Sequence, residues 1–161
     1  MKYLQYGIIV VVVASVVAGL YFAGSPNRAR ALRFDDRRIG DLQSLQSQIL
    51  WHWQSKKVLP KDLAALEESQ PGYEVPVDPE TKAAYVYRVT GTLSFELCAL
   101  FALPTQQGGY DRGYSYAYPQ PYFTGVTDWK HETGLTCYTR TIDKEQYDKD
   151  QAGMMKPVPV Y

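Results

Sequence analysis

The chain has 161 residues, with 17 basic and 17 acidic side chains, 14 tyrosines and two cysteines. With an apolar N-terminus set aside, about 110 to 135 residues remain, enough for one modest core and not for two domains. The balanced charge argues against a protein whose main work is gripping nucleic acid phosphates, so no nucleic acid partner is expected.

From Tyr3 to Pro26 no residue is charged, and Gly7 to Gly24 reads GIIVVVVASVVAGLYFAG. This run is near the lower limit for a membrane-spanning helix, and Tyr3, Tyr6, Tyr21 and Phe22 lie near its ends as interfacial aromatics do. A cleavable signal peptide is the alternative, with Lys2 as its charged start and Val16-Val17-Ala18 as a weak cleavage site. Because the apolar run continues past Ala18, residues 1–25 are read as an uncleaved transmembrane anchor in the lipid bilayer. Arg28, Arg30 and Arg33 follow in a juxtamembrane segment, residues 26–36, with Arg37 and Arg38 just beyond. The cluster reads as a solvated stretch near lipid headgroups, and Asp35-Asp36 as part of it rather than as an acid/base pair.

An amphipathic helix is expected from about Ala29 or Asp35 to Ser55. Counting about 100° per residue, Ile39, Leu42, Ile49, Leu50 and Trp53 share one stripe with Leu45 at its margin, whereas Asp41, Gln48 and Trp51 fall outside it. Lys56 and Lys57 suit the C-terminal end, and Leu59-Pro60 stops the helix. A short second helix over Lys61–Glu68 would fold Leu63 and Leu66 back onto the first. Ala84–Val89 alternates, Thr90-Gly91-Thr92 turns, and Leu93–Phe101 returns with Phe95, Leu97, Ala99 and Phe101 on one face. That is a hairpin. Its apolar face is the natural partner of the helix stripe, giving an α+β fold, a helix laid across a small antiparallel sheet, over residues 37–142.

Residues 104–127 are rich in Gly, Tyr, Pro and Gln and read as a loop. Tyr110, Tyr114, Tyr116, Tyr118 and Tyr122 are its candidate contact surface for a ligand or neighbouring subunit. Leu135–Thr141 returns to strand character, and the polar tail 143–161 is expected to fray. Cys98 and Cys137 are two separate thiols or one disulfide, and a body held outside the cytoplasm favours the disulfide. Neither they nor His52 and His131 show metal-ligand spacing. No Ser/His/Asp or Cys/His grouping stands out, so no catalytic, cofactor-binding or metal-binding residue and no enzyme is expected.

Leu59-Pro60, the phrase Pro76-Val77-Asp78-Pro79-Glu80-Thr81 and Tyr85-Val86-Tyr87 together resemble the soluble half of type IV pilin-like proteins. The major pseudopilins of type II secretion systems are the nearest group. Glu96-Leu97-Cys98-Ala99 and Thr136-Cys137-Tyr138 also resemble a group of bacterial membrane-anchored proteins of the same helix-plus-sheet layout. The resemblance implies a non-enzymatic structural or interaction protein of the bacterial envelope, with envelope proteins or further copies of itself as partners. A tethered module that binds a ligand through the Tyr-rich loop is the alternative. The sequence departs from the pilin pattern at two points: Gly7 is followed by Ile8 where pilins usually have phenylalanine or methionine, and the fifth residue after Gly7 is Val12 where they have glutamate.

Two arguments on sidedness disagree. Five arginines after the anchor against Lys2 before it favour a cytoplasmic body. The cysteines and the pilin-like layout favour an extracytoplasmic one, which is the expectation adopted. If it holds, Cys98 and Cys137 should sit on neighbouring strands with Cα atoms about 4.4 to 6.8 Å apart.

Overall fold

The structure is a computed structural model that describes residues 2–23, 26–105, 122–124 and 128–154. Helix α1 (Lys2–Ala23) leads, followed by α2 (Pro26–Lys56) and the short α3 (Ala64–Ser69). Four strands come next, β1 (Val86–Val89), β2 (Ser94–Phe101), β3 (Phe123–Thr124) and β4 (Gly134–Ile142), and then α4 (Lys144–Met154). The strands form one antiparallel sheet in the order β1-β2-β4-β3. The fold is α+β, with α2 laid on the sheet.

Helix α2 starts earlier than the periodicity predicts. Proline is tolerated in a first helical turn, where its missing N–H would have no partner anyway, so Pro26 opens the helix and the Arg-rich segment is its first turns. At the other end the Lys57 N–H donates to the Trp53 carbonyl at 2.7 Å. Lys57 itself is left-handed, with φ at 59°, before Pro60 bars any continuation. Asp62 then accepts the Ala65 N–H at 3.0 Å and starts α3.

The core forms as the alternation predicts. Ile39, Leu42, Leu45, Ile49, Leu50 and Trp53 of α2 meet Phe95, Leu97, Ala99 and Phe101 of β2, with Leu63 and Leu66 closing one side. Tyr138 and Ile142 of β4 share that inner face, and Leu100, Leu135 and Cys137 lie exposed on the outer one.

Three expectations are corrected. Asp41 lies outside the apolar stripe yet is buried, because Tyr85 covers that side of α2 and donates its hydroxyl to Asp41 Oδ2 at 2.8 Å. Asp35 and Arg38 are buried partners rather than members of a solvated cluster, whereas Asp36 is exposed. The tail from residue 143 does not simply fray: Asp143 Oδ1 accepts the Gln146 N–H at 2.9 Å and opens α4. The Asp143-x-x-Gln146 spacing is a helix-start signature that was there to be read. Tyr147 then pins α4 by packing edge-on against Trp53, with ring centroids 5.2 Å apart, and against Tyr122 at 5.7 Å.

Among the described residues, no helix is long and apolar enough to cross a membrane. The side chains described without interruption in α1 cover residues 5–19.

Candidate functional site

Among the described residues, a dense buried polar assembly is built around Arg38. Its Nε donates to Asp78 Oδ2 at 2.6 Å, its Nη1 to Asp35 Oδ1 at 2.8 Å, and its Nη2 to Glu80 Oε2 at 2.9 Å. Two of the three carboxylates are held in turn. Asp35 accepts the N–H groups of Ala102 and Leu103 at 3.0 and 2.9 Å, just past the end of β2. Asp78 accepts those of Glu80 and Thr81 at 2.9 and 2.8 Å, the local turn an aspartate makes when its side chain bonds two residues ahead. Burial alone would raise the Asp78 carboxyl. The hydrogen bonds from Arg38, Thr81 and Glu80 outweigh it and hold the group well below the usual carboxylate range. Burial likewise works against the Arg38 charge, and its three acidic partners more than offset this. The cluster ties α2 to the 78–81 turn and to the exit of β2.

The residues of the Leu-Pro, Asp-Pro and Tyr-x-Tyr phrases turn out to serve this same scaffold. Asp78 receives Arg38, Tyr85 reaches Asp41, and the Tyr87 hydroxyl donates to the Pro60 carbonyl at 2.9 Å. Both tyrosines are pushed above their ordinary values, first by burial; for Tyr85 the neighbouring Asp41 adds to this, for Tyr87 Asp62. Neither is an acid/base candidate near neutral pH.

A second buried guanidinium, missed in the sequence, is Arg140 on the inner face of β4. Its Nε donates to Gln46 Oε1 of α2 at 2.7 Å and its Nη2 to the Asp128 carbonyl at 2.9 Å. The guanidinium lies 4.4 Å from the Trp129 ring centroid. The signal that could have found it is the strand's own alternation, which puts residue 140 on the same face as Tyr138 and Ile142.

A shallow groove of about 360 Å³ runs beside this scaffold, lined by Asp36, Arg37, Gly40, Asp41, Ser44, Glu74 and Pro76. Its wall is mostly charged and lacks the apolar lining of a small-molecule site. Among the described residues that line it, no nucleophile is paired with a base, and the groove offers polar contact.

Cys98 and Cys137 form a disulfide on directly opposed positions of β2 and β4. Their Cα atoms are 4.0 Å apart, closer than the expected window. The reason is the register. The Ile142 N–H donates to the Leu93 carbonyl, which makes odd positions of β2 the hydrogen-bonded ones toward β4 and leaves Cys98 and Cys137 a non-bonded pair, where antiparallel backbones approach most closely. Glu96 lies beside them, its carboxylate within 4.8 Å of both sulfurs, but sulfurs joined to each other are not thiolate ligands for a metal. The bond sits on the sheet face away from α2, with Cys137 exposed and Cys98 buried but outside the core cluster, so its loss should leave that cluster intact. The double variant C98S/C137S is expected to fold and to lose about 2–4 kcal/mol, mainly through the loosened unfolded chain. Denaturant unfolding beside the wild type reads this, and an unchanged midpoint would show that the bond contributes nothing.

Of the five tyrosines expected to form a contact surface, Tyr110, Tyr114, Tyr116 and Tyr118 lie outside the described residues. Tyr122 is half-buried against the core and its carbonyl accepts the Asp143 N–H. His52 is buried with Nδ1 3.1 Å from Ser69 Oγ, and His131 stacks on Phe101, so the two histidines serve separate local contacts. No family model, curated protein or solved structure matches the chain.

Proposed function

We propose that the protein is a single-pass, membrane-tethered, pilin-like structural or interaction protein of the bacterial envelope, with a non-enzymatic body. The observation that carries the tether is α1. Ile8 to Val13, with Val16 and Val17, are exposed, so this stretch of the helix is apolar around its circumference and nothing among the described residues covers it. Such a helix belongs in a protein interior or in lipid. The sequence adds to this, because the uncharged apolar run from Gly7 to Gly24 continues past residues 5–19, the stretch of α1 whose side chains are described, and its 18 residues are near the lower limit for a span. The second half of the reading draws on the body's buried charges, since Arg38, Asp35 and Asp78 tie α2 to the 78–81 turn and to the exit of β2.

The disulfide favours an oxidising compartment for the body, and with it an extracytoplasmic position. The partners expected are envelope proteins or further copies of the chain.

Alkaline extraction of membranes from cells that make the full chain, beside a version lacking residues 1–25, tests the tether. The full chain should stay in the pellet and the truncated one should be released. A full chain that washes off would end this reading. Impermeant thiol labelling of intact cells tests sidedness. Cys98 and Cys137 should react after reduction without lysis, and labelling that requires lysis would place the body inside.

A further inference from the structure

The structure divides the five clustered arginines into two kinds. Arg38 is buried among Asp35, Asp78 and Glu80, and Arg37 reaches along the helix to Asp41 at 3.1 Å. These two belong to the body. Arg28, Arg30 and Arg33 stand exposed on the first turns of α2, and no acidic residue precedes Asp35 in the chain. Charge of one sign is therefore concentrated immediately beyond the apolar helix.

The placement of these three is specific. At about 100° per residue, Arg30 and Arg33 lie about 200° and 140° around the helix from Arg28, so they are spread about the axis instead of forming one stripe. Along the axis they span about 7.5 Å at 1.5 Å per residue. A phospholipid headgroup layer, the difference between a bilayer of about 40–45 Å and its core of about 30 Å shared between two faces, is about 5–7.5 Å thick. A guanidinium presents a rigid fork of donors that matches phosphate oxygens. Arg30 also lies over the Phe34 ring, 5.3 Å from its centroid, which orients its side chain along the helix.

We propose that Arg28, Arg30 and Arg33 form a collar that binds the phosphates of anionic phospholipids around the base of α2. The inference rests on the membrane tether and adds a lipid preference to it. The collar selects the lipids in contact with the chain, while Arg37 and Arg38 take no part.

The test uses the full chain in nonionic detergent, offered equal amounts of phosphatidylglycerol and phosphatidylcholine with the same acyl chains, and counts retained lipids by native mass spectrometry. Each arginine near an anionic surface is expected to favour the anionic lipid by about fivefold, so phosphatidylglycerol should dominate strongly. In R28Q/R30Q/R33Q the preference should fall to near parity, whereas R37Q should keep it. All three sites are exposed, and an intact disulfide with unchanged unfolding confirms that the variant is folded. A triple variant with the wild-type preference, or a wild type that takes both lipids equally, overturns the collar. So does displacement of the lipid by glycerol phosphate at equal concentration, which would assign the site to a soluble phosphate. Alkaline extraction separates the two readings: a chain that stays in the pellet without a lipid preference loses only the collar, and a chain that washes off loses the tether as well.

Discussion

Replacing Arg38 with methionine is expected to cost about 3–5 kcal/mol, because it leaves Asp35 and Asp78 as buried carboxylates with their cation removed. Arg38 is 2% exposed, and its fork is the only link in the cluster that touches all three acidic side chains. Arg37→Met makes the contrast. That ion pair is also between an arginine and a carboxylate of α2, but the Arg37 side chain is 72% exposed and the buried Asp41 keeps the Tyr85 hydroxyl, so its loss should cost clearly less, about 1 kcal/mol. Arg38→Lys keeps the charge and loses the planar fork, so it should fall between the two. Chemical denaturation of the full chain in nonionic detergent gives all three values. Equal losses for Arg37→Met and Arg38→Met would show that the cluster is not the clasp of the fold.

The same cluster sets a pH dependence whose sign follows from the Asp78 carboxyl. Its value in the folded protein is depressed, so its contribution is complete above the unfolded value near 3.8 and is lost as the pH falls through the folded one. His52 acts in the same direction. Burial, with Lys56 nearby, lowers it from 6.5, so its neutral form stabilises the fold above that pH and the benefit is lost on acidification. Wild-type stability should therefore decline below about pH 6.5 and more steeply below about pH 4. In Arg38→Met the orphaned carboxylates can escape their cost by taking up protons. The gap between variant and wild type should accordingly narrow in acid, and a gap that widens there would contradict the assignment of Asp78.

The apolar side of this fold was legible because period and burial agreed. The spacing of Ile39, Leu42, Ile49 and Leu50 fixes one helix face, and the alternation of Phe95, Leu97, Ala99 and Phe101 fixes one sheet face; the two meet in the structure. The buried polar side was not legible, for a physical reason. A charge is buried only when its partner is supplied, and the partners of Arg38 include Asp78 and Glu80, 40 and 42 residues away in the chain. Read locally, Asp35, Arg37 and Arg38 look like any solvated helix surface. Asp41 illustrates the same limit, since what covers it is Tyr85, 44 residues on. The disulfide lay between these extremes. The strand character of both cysteine segments was visible, but their opposition depends on a register that no local pattern carries. The candidate contact surface was the least legible, because it rested on composition alone, and the one tyrosine of that set within the described residues is engaged with the core.

Trp53→Ala is expected to cost about 3–5 kcal/mol, and Trp51→Ala to stay within about 0.5 kcal/mol. The two residues are chemically identical and two positions apart, so only the face of α2 they occupy distinguishes them. Trp53 is 2% exposed and lies in the core beside Leu50, while Trp51 is 44% exposed. Trp53 also holds the end of the chain. Tyr147 of α4 packs edge-on against its ring, and the Lys57 ammonium sits 5.2 Å from the Trp53 centroid and 4.3 Å from that of Tyr147. Truncation to alanine thus removes both a large apolar side chain and the platform on which α4 rests. Trypsin should then cut at Lys144 and Lys149 faster than in the wild type, before global unfolding, whereas Trp51→Ala should leave that cleavage unchanged. Similar losses of stability for the two tryptophans would mean that α2 presents a different face to the sheet, and unchanged cleavage in a destabilised Trp53→Ala would mean that α4 is held by Tyr122 alone.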